Sequence, residues 1–186
     1  MHFWYYGESG KRVKLRLVDR DGENDLALLE LEDAKRTADV YLKVARQTPR
    51  VAEKVWTLGY SLPQLLGRQI VYGEGVVTGN AGYRGDKRQF MISAPIRPGL
   101  SGGPVFTERG GVCGVMSASM TDGEQALQGH PSPESNWAVR ADRLRALLER
   151  NGVPFAEECD ADGGQDRVSA VEKSLKAVVY LHAGAE

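Results

Sequence analysis

The segment Arg97-Pro98-Gly99-Leu100-Ser101-Gly102-Gly103-Pro104-Val105 sets a single hydroxyl among glycines, just ahead of the apolar run Gly111 to Ser117. A serine becomes a useful nucleophile only when its oxygen stands clear of its neighbours and a base takes its proton. Flanking glycines supply the bend that exposes the oxygen, since they adopt backbone conformations closed to other residues. The same bend turns backbone N–H groups outward. Those of Gly99 and Ser101 are placed to hold a carbonyl oxygen as it gains negative charge, an oxyanion hole that lowers a barrier by roughly 3–4 kcal/mol per donor. Upstream, Glu23-Asn24-Asp25-Leu26-Ala27-Leu28-Leu29-Glu30-Leu31 puts an acid at the mouth of an apolar strand. A carboxylate so placed can orient an imidazole and stabilise the imidazolium formed when a serine proton is removed.

These residues need a scaffold of turns and strands, and glycine is the informative count. The chain has 186 residues and 22 glycines, distributed between short apolar runs in the manner of tight turns joining many strands. The pattern predicts strands at Val13 to Val18, Leu26 to Leu31, Lys54 to Leu58, Gln69 to Thr78, Gln89 to Ser93, Pro104 to Phe106, Gly111 to Ser117 and Ser135 to Val139. Asp21-Gly22, Gly79-Asn80, Gly85-Asp86 and Arg109-Gly110-Gly111 punctuate them as hairpin and bulge residues do. Such a meander predicts an all-β barrel or sandwich. Leu144, Leu147 and Leu148 recur at helical spacing within 141–150, and Asn151-Gly152 is a stop signal, so a helix closes the β domain. The stretch 153–167 is acidic and poor in apolar residues, and reads as a solvated linker. Over 168–186, Val168, Val171 and Leu175 predict a helix and Ala177 to Leu181 a short strand, the start of a further unit.

Composition excludes more than it assigns. The chain is 41% hydrophobic and 26% charged, with 24 basic against 25 acidic residues and a net charge of -1. No charge excess points to nucleic acid or a membrane surface. The aromatic opening Met1 to Tyr6 is too short for a secretory signal, and no apolar run has spanning length, which predicts a cytoplasmic location. Cys113 and Cys159 read as free thiols. No cofactor is expected, and three histidines and two cysteines offer no metal-ligand pair.

The run Gly99-x-Ser101-Gly102-Gly103-Pro104 resembles the nucleophile signature of trypsin-like serine peptidases, and Asp25-Leu26-Ala27-Leu28-Leu29 resembles the acid-bearing strand of their HtrA-like bacterial branch. Trp56-Thr57-Leu58-Gly59-Tyr60, Gly73 to Gly79 and Asn136 to Leu144 are similar to later family segments, in family order. The resemblance covers about residues 13–150. It implies a double β-barrel within 1–152, with an incomplete first barrel, a second barrel over about 54–140, the closing helix 141–150 and a short C-terminal extension. It implies Ser101 as nucleophile, Asp25 as orienting acid, and a specificity pocket walled by Ala94, Pro95 and Ile96 on one side and Ser117, Ala118 and Ser119 on the other, with Ala138 near its base. With no charge in that wall, a small or medium apolar side chain is the expected preference. The expected partner is a polypeptide substrate or peptide ligand, with other domains of a larger protein as further partners through the linker.

Two departures stand out. Leu100 occupies the place where digestive members carry an aspartate that pairs with a freshly cut N-terminus. More seriously, the general base belongs ahead of Asp25, where His2 is the available histidine, and the two intervening strands and turns need roughly 25 residues or more. His130, in Gln128 to Pro133, reads as a solvated loop residue. His182 follows a segment, Val171 to Leu181, that resembles the helix and first strand opening such domains, which suggests a circular permutation or a truncated second copy. Three readings stay open: a fragment of a serine endopeptidase whose histidine-bearing strands lie upstream of Met1, a pseudopeptidase that binds an extended peptide or regulates partner domains, and a self-sufficient peptidase that folds His2 or His182 into place.

Overall fold

The computed structural model describes residues 1–6, 10–33, 40–61, 67–119, 136–159 and 166–184. Two β bodies pack against each other. The first is an open four-stranded antiparallel sheet formed by β1 (His2–Tyr6), β2 (Arg12–Asp21), β3 (Leu26–Leu31) and β10 (His182–Gly184), in the order β10-β1-β2-β3. The second is a closed six-stranded barrel of β4 (Lys54–Tyr60), β5 (Ile70–Gly79), β6 (Gln89–Ile92), β7 (Pro104–Thr107), β8 (Val112–Ser119) and β9 (Asn136–Arg140). Helix α1 (Ala141–Arg150) leaves β9 directly, and α2 (Arg167–Leu175) precedes β10. This is the trypsin-like all-β architecture with one barrel closed and the other left as a sheet. Among the described residues no helix is long and apolar enough to cross a membrane.

Strands β4, β7 and β9 are short apolar runs because both of their faces are covered, whereas Tyr72, Glu74 and Thr78 on β5 are exposed. In β4 the alternation of side chains across a strand sends Val55 into the barrel interior with Phe90, Ile92, Val105 and Met116. Trp56 and Leu58 point the other way, into a second cluster with Phe106, Val112 and Ala170 of α2. Inside the barrel, Gly114 leaves room for Phe90: a Cβ there would sit 2.7 Å from the Phe90 ring and 2.8 Å from the Val139 carbonyl. Cys113 is fully buried beside them, its thiol raised by desolvation and donating to the Val105 carbonyl at 3.3 Å. The first sheet is half-covered, and β2 accordingly alternates, with Val13 buried and Leu15 half-buried between exposed Arg12, Lys14 and Arg16. A register shift between Leu17 and Asp19 breaks this phase and leaves Leu17 and Val18 exposed.

The termini depart from expectation. The aromatic opening is strand β1, paired with β2 from Phe3↔Leu15 to Tyr6↔Arg12. The predicted strand at 177–181 is instead a turn and extended chain, and the strand lies at His182–Gly184, paired antiparallel to β1. The C-terminal extension folds back: α2 covers Trp56, and β10 becomes the edge of the first sheet. Part of the acidic stretch is docked as well. Glu158 accepts hydrogen bonds from the Gly111 amide at 3.0 Å and from the Thr107 hydroxyl, while Glu157 pairs with Arg46 at 3.0 Å.

Candidate active site

Between β6 and β7 the chain makes two successive tight turns. The Leu100 amide donates to the Arg97 carbonyl at 3.0 Å, and the Gly103 amide donates to the Leu100 carbonyl at 3.0 Å. Gly102 N–H is tied to the Met116 carbonyl at 2.7 Å and Met116 N–H to the Gly103 carbonyl at 2.8 Å, which fastens the bend to β8. Gly99 and Gly102 have φ of +95° and +86°, a region that disfavours any side chain. A Cβ on Gly103 would lie 2.6 Å from the Leu58 carbonyl oxygen. Between these glycines Leu100 is 4% exposed and buried among barrel residues, while Ser101 is exposed. Leu100 pulls the loop inward and Ser101 is left on the crest. Among the described residues, the amides of Gly99 and Ser101 take no part in the backbone bonds that hold the loop.

Asp25 ends the turn between β2 and β3 with φ of +53°, a left-handed conformation that aspartate tolerates better than most residues. Asp21 shapes this turn: its carboxylate accepts from the Asn24 amide at 3.1 Å and from the Asn24 side chain at 2.8 Å. These bonds to Asn24 hold the Asp21 carboxyl below its usual range. The turn leaves Asp25 exposed beside the space between the two bodies. There a largely apolar cleft of about 760 Å³ runs between the sheet and the barrel, and both Asp25 and Ser101 line it. Tyr60 of β4, Leu148 of α1 and the 177–181 segment are among its other lining residues.

A serine on a glycine bend and an acid at a strand mouth, facing one cleft, frame the comparison with known proteins. The trypsin-like peptidase domain family matches residues 2–115. The chain belongs to that family. It is also 35% identical over 143 residues to an uncharacterised protein, y4bJ, of Sinorhizobium fredii (strain NBRC 101917 / NGR234), an alignment that takes in 76% of this chain and 22% of that protein. The chain thus spans about a fifth of the length of that relative.

In this trypsin-like domain the described histidines lie at the far end of the first sheet from Asp25. Leu26 is paired with Asp21, whereas Leu31 is opposite Leu15 and Leu15 opposite Phe3. At about 3.3 Å per residue, His2 is roughly 17 Å from Asp25 along the sheet and His182 roughly 23 Å. A general base must come within about 3 Å of the hydroxyl it activates. His2 is exposed, and His182 is packed against the rings of Trp4, Tyr6 and Tyr180 at 5.5, 5.3 and 4.7 Å. His130 lies outside the described residues. Of the expected pocket walls, Ala94 and Ala138 are fully buried in the barrel core, and Pro95, Ile96 and Ser117 keep accessible surface. Ala118 and Ser119 belong to the end of β8, their side chains outside the description. The sequence carried no sign that the C-terminal segment forms a wall of the cleft, because that contact joins residues distant in the chain.

Proposed function

We propose that this peptidase domain acts on polypeptides by acyl transfer through Ser101. Its oxygen attacks the peptide carbonyl carbon as its proton passes to a base. The resulting oxyanion is held by the N–H groups of Gly99 and Ser101, the C–N bond breaks as the amine takes up the proton, and water then releases the acyl group. Asp25 serves as the acid that orients and stabilises the base. The base itself comes from outside the described residues. A small or medium apolar side chain ahead of the scissile bond suits the uncharged surface of Pro95, Ile96 and Ser117. The observation that supports the reading is the Ser101 bend, with an exposed serine and two amides that take no backbone bond among the described residues, on the cleft that Asp25 also lines. A fluorophosphonate probe tests it. Labelling that disappears in Ser101→Ala is expected, and correctly folded protein that takes no label overturns acyl transfer by this chain.

A second reading is favoured by the distance of His2 and His182 from Asp25. On it the domain binds an extended peptide without turning it over, by strand addition and apolar contact. Binding of a peptide library to both the native chain and Ser101→Ala, with neither labelled, is the result that selects it.

A further inference from the structure

Asp25 and Ser101 belong to different bodies, so their separation is set by whatever fastens the β2–β3 turn to the barrel. Several contacts among the described residues do so. Leu26 packs with Val139 and Leu147. Arg150 and Asn151, at the end of α1, hold Asp19 with Arg150 Nη2 and Asn151 Nδ2 each 2.8 Å from its carboxylate. Arg150 Nη1 also lies 3.9 Å from Asp21 Oδ2 at the start of the turn. Arg88, in the turn before β6, donates from Nη1 to the Glu23 carbonyl at 2.8 Å, two residues before the acid. The Arg88 guanidinium is not free to swing. Its Nε bonds both carboxylate oxygens of Asp86 at 3.0 and 3.1 Å, and Nη2 bonds Oδ2 at 2.8 Å. Asp86 in turn accepts from the Arg88 backbone amide at 2.9 Å, so the fork is locked at its root.

A planar guanidinium held on one side by a carboxylate has its remaining N–H directions fixed, a geometry that an ammonium group does not reproduce. The locked fork is therefore a ruler between barrel and turn. It bears on the Glu23–Asn24 peptide unit, one peptide before the unit that joins Asp25, whose left-handed φ persists only when its surroundings impose it.

We propose that Arg88, oriented by Asp86, is a positioning residue that sets where Asp25 stands relative to Ser101. The proposal rests on the acyl-transfer reading above and adds to it a residue that touches neither substrate nor nucleophile.

The test compares Arg88→Gln, Arg88→Lys and Asp25→Asn, alone and combined, in the full chain. Two quantities are read: the rate of fluorophosphonate labelling of Ser101, and amide hydrogen exchange at residues 22–26. Arg88→Gln is expected to slow labelling at least tenfold and to speed exchange at 22–26 while barrel amides keep their protection. Arg88→Lys restores only part of the rate. The double variant Arg88→Gln with Asp25→Asn is expected to label no more slowly than Asp25→Asn alone, because a residue that acts through Asp25 has nothing to add once the acid is gone. Native-like labelling in Arg88→Gln overturns the proposal and leaves the acyl-transfer reading standing. Fully multiplicative losses in the double variant, or loss of protection spread through the barrel, overturn it as well, showing a general structural role. A native chain that takes no label removes the reaction and the proposal together, and its exchange pattern then reports a structural brace alone.

Discussion

The bend at Ser101 and the turn at Asp25 were legible in the sequence because each is a short local pattern, a glycine bend and the mouth of an apolar strand, whose physical demands are met within a few residues. Leu100 was legible only as a departure. The structure gives its reason: with its side chain 4% exposed in the barrel core, it anchors the bend by burial where an ion pair does so in digestive relatives. Gly59 is shaped to it, since a Cβ there would sit 2.9 Å from Leu100 Cδ2. Leu100→Ala should therefore cost about 3 kcal/mol, in the range for deleting a buried leucine side chain, measured by urea unfolding. It should also slow labelling of Ser101 under conditions where the variant is still folded. A change under about 1 kcal/mol would mean that the loop is held by its backbone bonds alone. Arg88 gave no comparable signal, for Asp86-Lys87-Arg88 reads as ordinary turn residues and its partner, Glu23, is distant in the chain.

At the scale of elements, β2 to β9 showed through because apolar runs alternate with glycine turns, and α1 because its leucines keep helical spacing. β1 and β10 did not, since five consecutive residues from His2 to Tyr6 lack alternation and a three-residue strand has no pattern of its own. Both exist through their pairing, and His182 is the point at which acid is expected to weaken that pairing. Its ring stacks on Trp4 at an interplanar angle of 6° and meets Tyr6 and Tyr180 edge-on, with Nε2 buried and unpartnered among the described residues. Two guanidinium groups flank the cluster, Arg12 over Trp4 at 3.9 Å and Arg68 over Tyr6 at 4.4 Å. Desolvation first, and then the charges of Arg68 and Arg12, lower the imidazole below its ordinary value of 6.5. The folded form thus favours neutral His182. Its contribution is complete above about pH 6.5 and is lost as pH falls from there through the lowered folded value. Hydrogen exchange at residues 2–6 and 182–184 should accelerate between pH 7.5 and pH 5 relative to the barrel, after correction for intrinsic rates, and His182→Phe should abolish the difference. Equal acid sensitivity in the variant would place the cause elsewhere.

For the whole molecule, the question is which parts stand without the others. Among the described residues, the interior of the barrel is filled from residues 45–138 and includes nothing from the C-terminal extension. The outer cluster is different: Trp56 is fully buried, stacked on Phe106 at 3.9 Å, and covered by Ala170, with Arg167 lying 5.4 Å from the indole centroid. The 177–181 segment, which reads from sequence as the start of another unit, lines the same cleft as Ser101 and Asp25. The register of β10 with β1 was hidden because nothing local specifies a partner at the opposite end of the chain. A chain cut after Cys159 should consequently keep a cooperatively folding barrel, since its core is self-contained, yet lose the cover of Trp56 and the edge partner of β1. The expected signs are a red shift of tryptophan emission, a lower urea midpoint and loss of exchange protection at residues 2–6, with barrel amides still protected. Complete unfolding of the shortened chain would show that the outer cluster is part of the folding core. Unchanged emission would show that α2 does not shield Trp56 in solution.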